Sequence, residues 1–216
     1  MKKDEAKARI REIGIFPGIR VNSTKHALYA AETLHAAGIP VAEITMTVPE
    51  GVSVIRELAQ RFPDLVVGAG TVLDAETAKR CLDAGARFIT STGFVGDVIE
   101  ATLRAEAVAI PGALTPSEVI SCWKAGADLV KIFPVASIGG DLYIRSLKLP
   151  LPHIELIAAG GVNQQNAIDF ILAGSTALGV GTELLPKDAI VKRQDHRIHE
   201  LARRFLGFVS EGRSHV

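Results

Sequence analysis

Cysteine, net charge and long apolar runs are all scarce in this chain of 216 residues, and each shortage closes off a class of protein. Two cysteines, Cys81 and Cys122, cannot make a disulfide framework, and their separation has no metal-ligand spacing. Both fall in helical patterns and read as reduced core thiols of a cytoplasmic protein. Lys plus Arg and Asp plus Glu number 24 each, so no global field draws the chain to nucleic acid or to a membrane surface. Any anionic ligand must therefore be held by local groups. No apolar run reaches bilayer length, and Met1–Phe16 is charged and amphipathic, without a signal-type apolar stretch. His196 and His199 share a helix face but have no third ligand, so no metal is expected. No composition shift divides the chain, and residues 1–216 are expected to form one domain.

What the chain does have is alternation. Four helical patterns end in an Ala-Gly pair just before an apolar run: Ala37-Gly38, Ala84-Gly85, Ala125-Gly126 and Ala173-Gly174. Glycine supplies the left-handed residue that ends a helix. The pairs recur about every 40–50 residues, which fits two βα units per period. Eight strand-like runs result: Gly14–Arg20, Val41–Thr45, Leu65–Ala69, Phe88–Ser91, Val108–Pro111, Leu129–Phe133, Ile154–Ala158 and Ala177–Val180. Helix starts are marked by Ser23 or Thr24, by Asp74, by Thr115-Pro116-Ser117-Glu118 with capping-box spacing, and by Asn163 ahead of Gln165–Ala173. Lys2–Glu12 reads as an extra N-terminal helix. Strict alternation of strand and helix predicts an α/β fold, a (β/α)8 TIM barrel, with an open doubly wound sheet as the alternative.

Against this apolar background two charges stand out. Lys131 lies in Asp128-Leu129-Val130-Lys131-Ile132-Phe133-Pro134, a run that should be buried on both faces. An ammonium group is costly to bury, so it is either paired or held neutral, and a neutral amine attacks carbonyl carbon. Glu43 occupies a similar place in Val41-Ala42-Glu43-Ile44-Thr45. Period-two alternation puts Glu43 and Thr45 on one face, and Leu129, Lys131 and Phe133 on one face of theirs. If both faces point into the barrel, amine and carboxylate meet. The plain alternative is a structural ion pair, although desolvation makes such pairs a poor source of stability.

The active site of such a barrel lies at the C-terminal ends of its strands, where Arg20, Thr45, Thr47, Thr71 and Ser91 also fall. Gly160-Gly161 after the seventh strand, and Gly181-Thr182 after the eighth, occupy the usual phosphate loops. Gly68-Ala69-Gly70-Thr71 suits either ligand approach or close packing across the barrel. Arg20 suits a bidentate carboxylate clamp or a solvated strand end. Trp123 reads as helix packing.

Taken together, these residues resemble the 2-keto-3-deoxy-6-phosphogluconate and 4-hydroxy-2-oxoglutarate aldolase family over essentially the whole chain. The resemblance is carried by Glu43-Ile44-Thr45-Met46-Thr47-Val48-Pro49, Gly68-Ala69-Gly70-Thr71-Val72-Leu73, Ile110-Pro111-Gly112, Lys131-Ile132-Phe133-Pro134 and Gly160-Gly161-Val162. It implies a TIM barrel, a homotrimer, and a class I aldolase that needs no metal or other cofactor. It further implies that Lys131 forms a Schiff base with a 2-keto acid, that Glu43 is the general acid/base, and that pyruvate is a product. Arg20 and Thr71 would hold the carboxylate, with Thr45, Thr47 and Phe133 around them, and Gly160, Gly161, Gly181 and Thr182 would hold a phosphate. The chain departs from the family at Thr47, where some members carry arginine, at Ala158-Ala159 in place of Pro-Thr, and at Thr92 in place of proline. The expected substrate is 2-keto-3-deoxy-6-phosphogluconate, cleaved to pyruvate and glyceraldehyde 3-phosphate. The alternatives are 4-hydroxy-2-oxoglutarate, the 6-phosphogalactonate analogue, or a non-catalytic barrel that binds a phosphometabolite.

Overall fold

The structure is a computed structural model that describes residues 1–215. Its strands are β1 (Ile15–Ile19), β2 (Val41–Thr45), β3 (Val66–Gly70), β4 (Phe88–Thr90), β5 (Val108–Ile110), β6 (Gly112–Ala113), β7 (Val130–Ile132), β8 (Leu156–Ala159) and β9 (Ala177–Val180). All neighbours run parallel, in the order β5-β4-β3-β2-β1-β9-β8-β7-β6. The two ends of that row, β5 and β6, are one run divided at Pro111, so the row closes on itself. The Lys131 N–H donates to the Pro111 carbonyl, and the Asp128 N–H to that of Ala109, each at 2.9 Å, which stitches the seam. The fold is a (β/α)8 barrel with a split fifth strand, and the open sheet is excluded.

Local chemistry sets most helix boundaries. The Ser23 hydroxyl accepts from the His26 N–H at the start of Thr24–Ala36, and Asp74 does the same for Thr77 at the start of Ala75–Asp83. Thr115 and Glu118 form the expected capping box. The Ala-Gly endings place glycine where only a left-handed residue fits, as at Gly85 with φ 107°. One helix is shorter than expected. Ala167–Leu172 begins late because Asn163 accepts from the Gln165 and Asn166 N–H groups, while Asn166 accepts from that of Asn163, and this closed turn occupies the start.

Two cores follow from strand alternation. Ala42, Ile44, Val130 and Ile132 face outward to the helices. Phe16, Val41, Val66, Phe88, Leu129 and Ile157 fill the barrel floor together with Ala6 and Ile10 of the N-terminal helix Lys3–Ile13. That helix plugs the end of the barrel opposite the strand C-termini. Fully burying Ile10 contributes about 1.5–3 kcal/mol. The flanking pairs of Lys3 and Lys7 with Asp128 (2.9 and 3.6 Å) are partly exposed and contribute less, about 1 kcal/mol or under.

Cys81 and Cys122 are free and buried. Burial pushes their thiols up to about 11 and about 12, so neither is a nucleophile at neutral pH. Trp123 departs from the sequence expectation: it is 47% exposed and meets only the edge-on ring of His153 among aromatic neighbours, 4.9 Å between centres. Among the described residues no helix is long and apolar enough to cross a membrane.

Candidate active site

Because Ala42 and Ile44 face outward on β2, Val41, Glu43 and Thr45 face the barrel interior. The same alternation turns Leu129, Lys131 and Phe133 inward around β7. Val41 and Leu129 belong to the floor, Glu43 and Lys131 lie one layer higher, and Thr45 and Phe133 stand near the mouth. Lys131 and Glu43 are each only 7% exposed. Their Nζ and Oε1 atoms are 3.7 Å apart, an ion pair too long for a direct hydrogen bond. A third side chain fills the gap: Lys131 Nζ donates to Thr90 Oγ1 at 3.1 Å, and the Thr90 hydroxyl donates to Glu43 Oε1. The Phe133 ring centre is 6.0 Å from Nζ, at the outer edge of cation–π range.

Glycines make room for the carboxylate. Gly18 and Gly68 sit beside Glu43 in register on β1 and β3. A Cβ at Gly70 would lie 2.0 Å from Glu43 Oε1, and one at Gly68 would lie 2.4 Å from the Phe88 ring. Of the two readings of Gly68-Ala69-Gly70, close packing across the barrel is the one observed.

A cavity of about 540 Å³ opens at the C-terminal ends of the strands. Among the sequence-predicted residues it is lined by Lys131, Glu43, Thr45, Phe133, Arg20, Gly160, Gly161, Gly181 and Thr182. The buried pair and both glycine loops thus share one space. Gly160 and Gly161 are left-handed (φ 85° and 87°), and a Cβ there would meet Pro134 Cα at 2.8 Å and Ala136 Cβ at 2.4 Å respectively. The Gly181 carbonyl accepts from the Leu184 and Leu185 N–H groups, and such a turn leaves its own first N–H groups unpaired for a ligand. Arg20 and Thr182 are exposed at the rim.

Three residues expected at the strand ends do not line the cavity. Thr47 is exposed and reaches the site only through Thr45, their hydroxyls 2.7 Å apart, while Thr45 itself donates to the Ile19 carbonyl at 3.1 Å. Thr71 follows Gly70 in a left-handed turn (φ 58°) and is not part of the cavity lining. Ser91 is buried and also lies outside the lining, donating to the Gly93 carbonyl at 2.6 Å.

Sequence reading missed Thr90, although period two from inward Phe88 pointed to it rather than to Ser91. It also missed Glu183 and Lys187, both exposed and lining the cavity just past Gly181-Thr182. Charged residues in a loop carry no period, so nothing local distinguished them from solvated ones.

Residues 6–201 match the family model described as KDPG and KHG aldolase. The 2-dehydro-3-deoxy-phosphogluconate aldolase of Pseudomonas aeruginosa is 32% identical over 206 residues, covering 95% of this chain and 93% of that protein. The KHG/KDPG aldolase of Escherichia coli K12 is 31% identical over 88% of this chain and 89% of its own. The crystal structure of the Legionella pneumophila KDPG aldolase, with pyruvate captured as a covalent carbinolamine, superimposes with a TM-score of 0.84 at 30% identity, covering 91% of this chain and 96% of that one.

Proposed function

The chain belongs to the KDPG and KHG aldolase family and is a lyase, and from that premise we propose that it cleaves 2-keto-3-deoxy-6-phosphogluconate to pyruvate and glyceraldehyde 3-phosphate through a Schiff base on Lys131. One observation carries the reading: a buried amine and a buried carboxylate share a single cavity with two glycine loops and an exposed arginine. Membership of an aldolase family leaves the binding-only barrel without support.

The deprotonated Lys131 amine attacks the C2 ketone, and loss of water gives an iminium. Glu43 shuttles the protons of that step and then takes the proton of the C4 hydroxyl. The C3–C4 bond breaks with its electrons drawn into the iminium, which becomes an enamine as the aldehyde departs. Protonation at C3 and hydrolysis release pyruvate and free Lys131. Arg20 holds the substrate carboxylate. Gly160, Gly161, Gly181 and Thr182 hold the phosphate, with Lys187 as a nearby cation. Thr45 and Phe133 wall the reacting carbons. The reading extends to a cytoplasmic homotrimer, supported by two unpaired buried thiols and by exposed apolar side chains such as Leu73 and Phe94.

A second reading is 4-hydroxy-2-oxoglutarate cleavage. It is favoured by Glu183, which lines the cavity beside Thr182 and whose negative charge would oppose a phosphate there. Turnover of the two substrates and of the 6-phosphogalactonate analogue, measured side by side, separates these readings. The phosphogluconate derivative is expected to give the highest kcat/KM. A clear preference for 4-hydroxy-2-oxoglutarate would remove the functional basis for the phosphate loops.

R20A is expected to raise KM for the 2-keto acid by roughly tenfold, since a charge-assisted hydrogen bond contributes about 1.5–3 kcal/mol and the rim position screens part of it. Steady-state kinetics would show kcat little changed. An unaltered KM would return Arg20 to the role of a solvated strand end.

A further inference from the structure

We propose that the Thr90 hydroxyl is the proton relay between Lys131 and Glu43, converting the resting ion pair into a free amine and a carboxylic acid. The inference rests on the Schiff-base reading above and adds a residue to it. A threonine in a strand needs no functional reason, because β-branched side chains suit pleated structure. What singles out Thr90 is the direction of its two bonds. It accepts from Lys131 Nζ at 3.1 Å and donates to Glu43 Oε1, while the direct Nζ–Oε1 separation is 3.7 Å. A hydroxyl can donate and accept at once, so among the described residues this group makes a continuous path from amine to carboxylate. Thr90 is fully buried at 0% exposure, so bulk water does not compete at its oxygen.

The relay balances. One N–H bond of Lys131 breaks as an O–H bond forms on Thr90, while the original Thr90 O–H breaks and an O–H forms on Glu43. The electron pair of the broken N–H bond stays on nitrogen as the lone pair that attacks, and Thr90 ends unchanged in charge. The two products are what the first step of a Schiff-base reaction needs: a nucleophilic amine, and an acid that can protonate the departing hydroxyl of the carbinolamine. The reverse transfer after hydrolysis restores the starting pair.

The test is the rate at which pyruvate is trapped on Lys131 by borohydride in T90V and T90S, beside the wild type. T90V keeps the shape and removes the hydroxyl, and is expected to slow trapping and kcat by roughly 100-fold, within the usual range for general acid–base catalysis. KM should move far less. T90S keeps the hydroxyl and should recover most of the loss, which a merely packing role would not produce. Equal trapping by T90V and wild type would overturn the relay alone, as would T90S failing as badly as T90V. No trapping on Lys131 in the wild type would overturn the Schiff-base reading, and the relay with it. Should T90V not fold, a proton inventory on the wild-type trapping rate in H2O–D2O mixtures serves instead. Two protons in flight bow the plot, and a straight line would overturn the relay.

Discussion

K131M and K131R are both expected to lose turnover by roughly 10,000-fold or more, the scale on which removing a covalent nucleophile acts. Neither should yield a borohydride-stable pyruvate adduct, read by mass on the peptide that contains residue 131. The two variants separate chemistry from charge. Arginine retains a cation opposite Glu43, but its guanidinium stays protonated and does not form an imine. A structural ion pair would tolerate K131R, so substantial activity in that variant would sink the nucleophile assignment. Methionine also tests the energetics. It leaves Glu43, 7% exposed, with the Thr90 hydroxyl as its one remaining side-chain partner among the described residues, and loss of one member of a buried pair costs about 3–5 kcal/mol. K131M should therefore melt at a lower temperature than wild type.

E43Q keeps the shape of the site but removes the charge opposite buried Lys131, so it should fold with reduced stability and lose about 100- to 10,000-fold in kcat, the span of general acid–base contributions. Glutamine matches the shape of glutamate, so the space left by Gly18, Gly68 and Gly70 still accepts it. The amide cannot shuttle protons. Adduct formation at Lys131 should slow rather than vanish, because the nucleophile remains, whereas C3–C4 cleavage should fall most. A kcat within about threefold of wild type, far below the usual general-acid effect, would remove Glu43 from the mechanism.

Much of this architecture was legible along the chain. All eight apolar runs became barrel strands, with ends shifted by two residues at most, and the Lys2–Glu12 pattern became the floor helix Lys3–Ile13. Those signals are local: apolar periodicity, side-chain caps and left-handed glycines each act within a few residues. The faces of Lys131 and Glu43 were legible for the same reason, since alternation along a strand needs no knowledge of its neighbours. Extrapolation failed once the strands ended. Thr47 and Thr71 lie in turns, where period two no longer holds, and Thr90 sits on a strand of only three residues, Phe88–Thr90, too short for alternation to stand out.

What the sequence by itself determined is the alternating α/β order, and an amine and a carboxylate facing into the barrel. Only the tertiary structure decided how far apart those two groups stand, and what lies between them. Thr90 is 47 residues from Glu43 and 41 from Lys131. The three meet because the stagger of closed, parallel strands brings β2, β4 and β7 to a common height. That stagger belongs to the whole barrel and leaves no mark on any one strand, so the hydroxyl between the charges became visible only when the sheet closed.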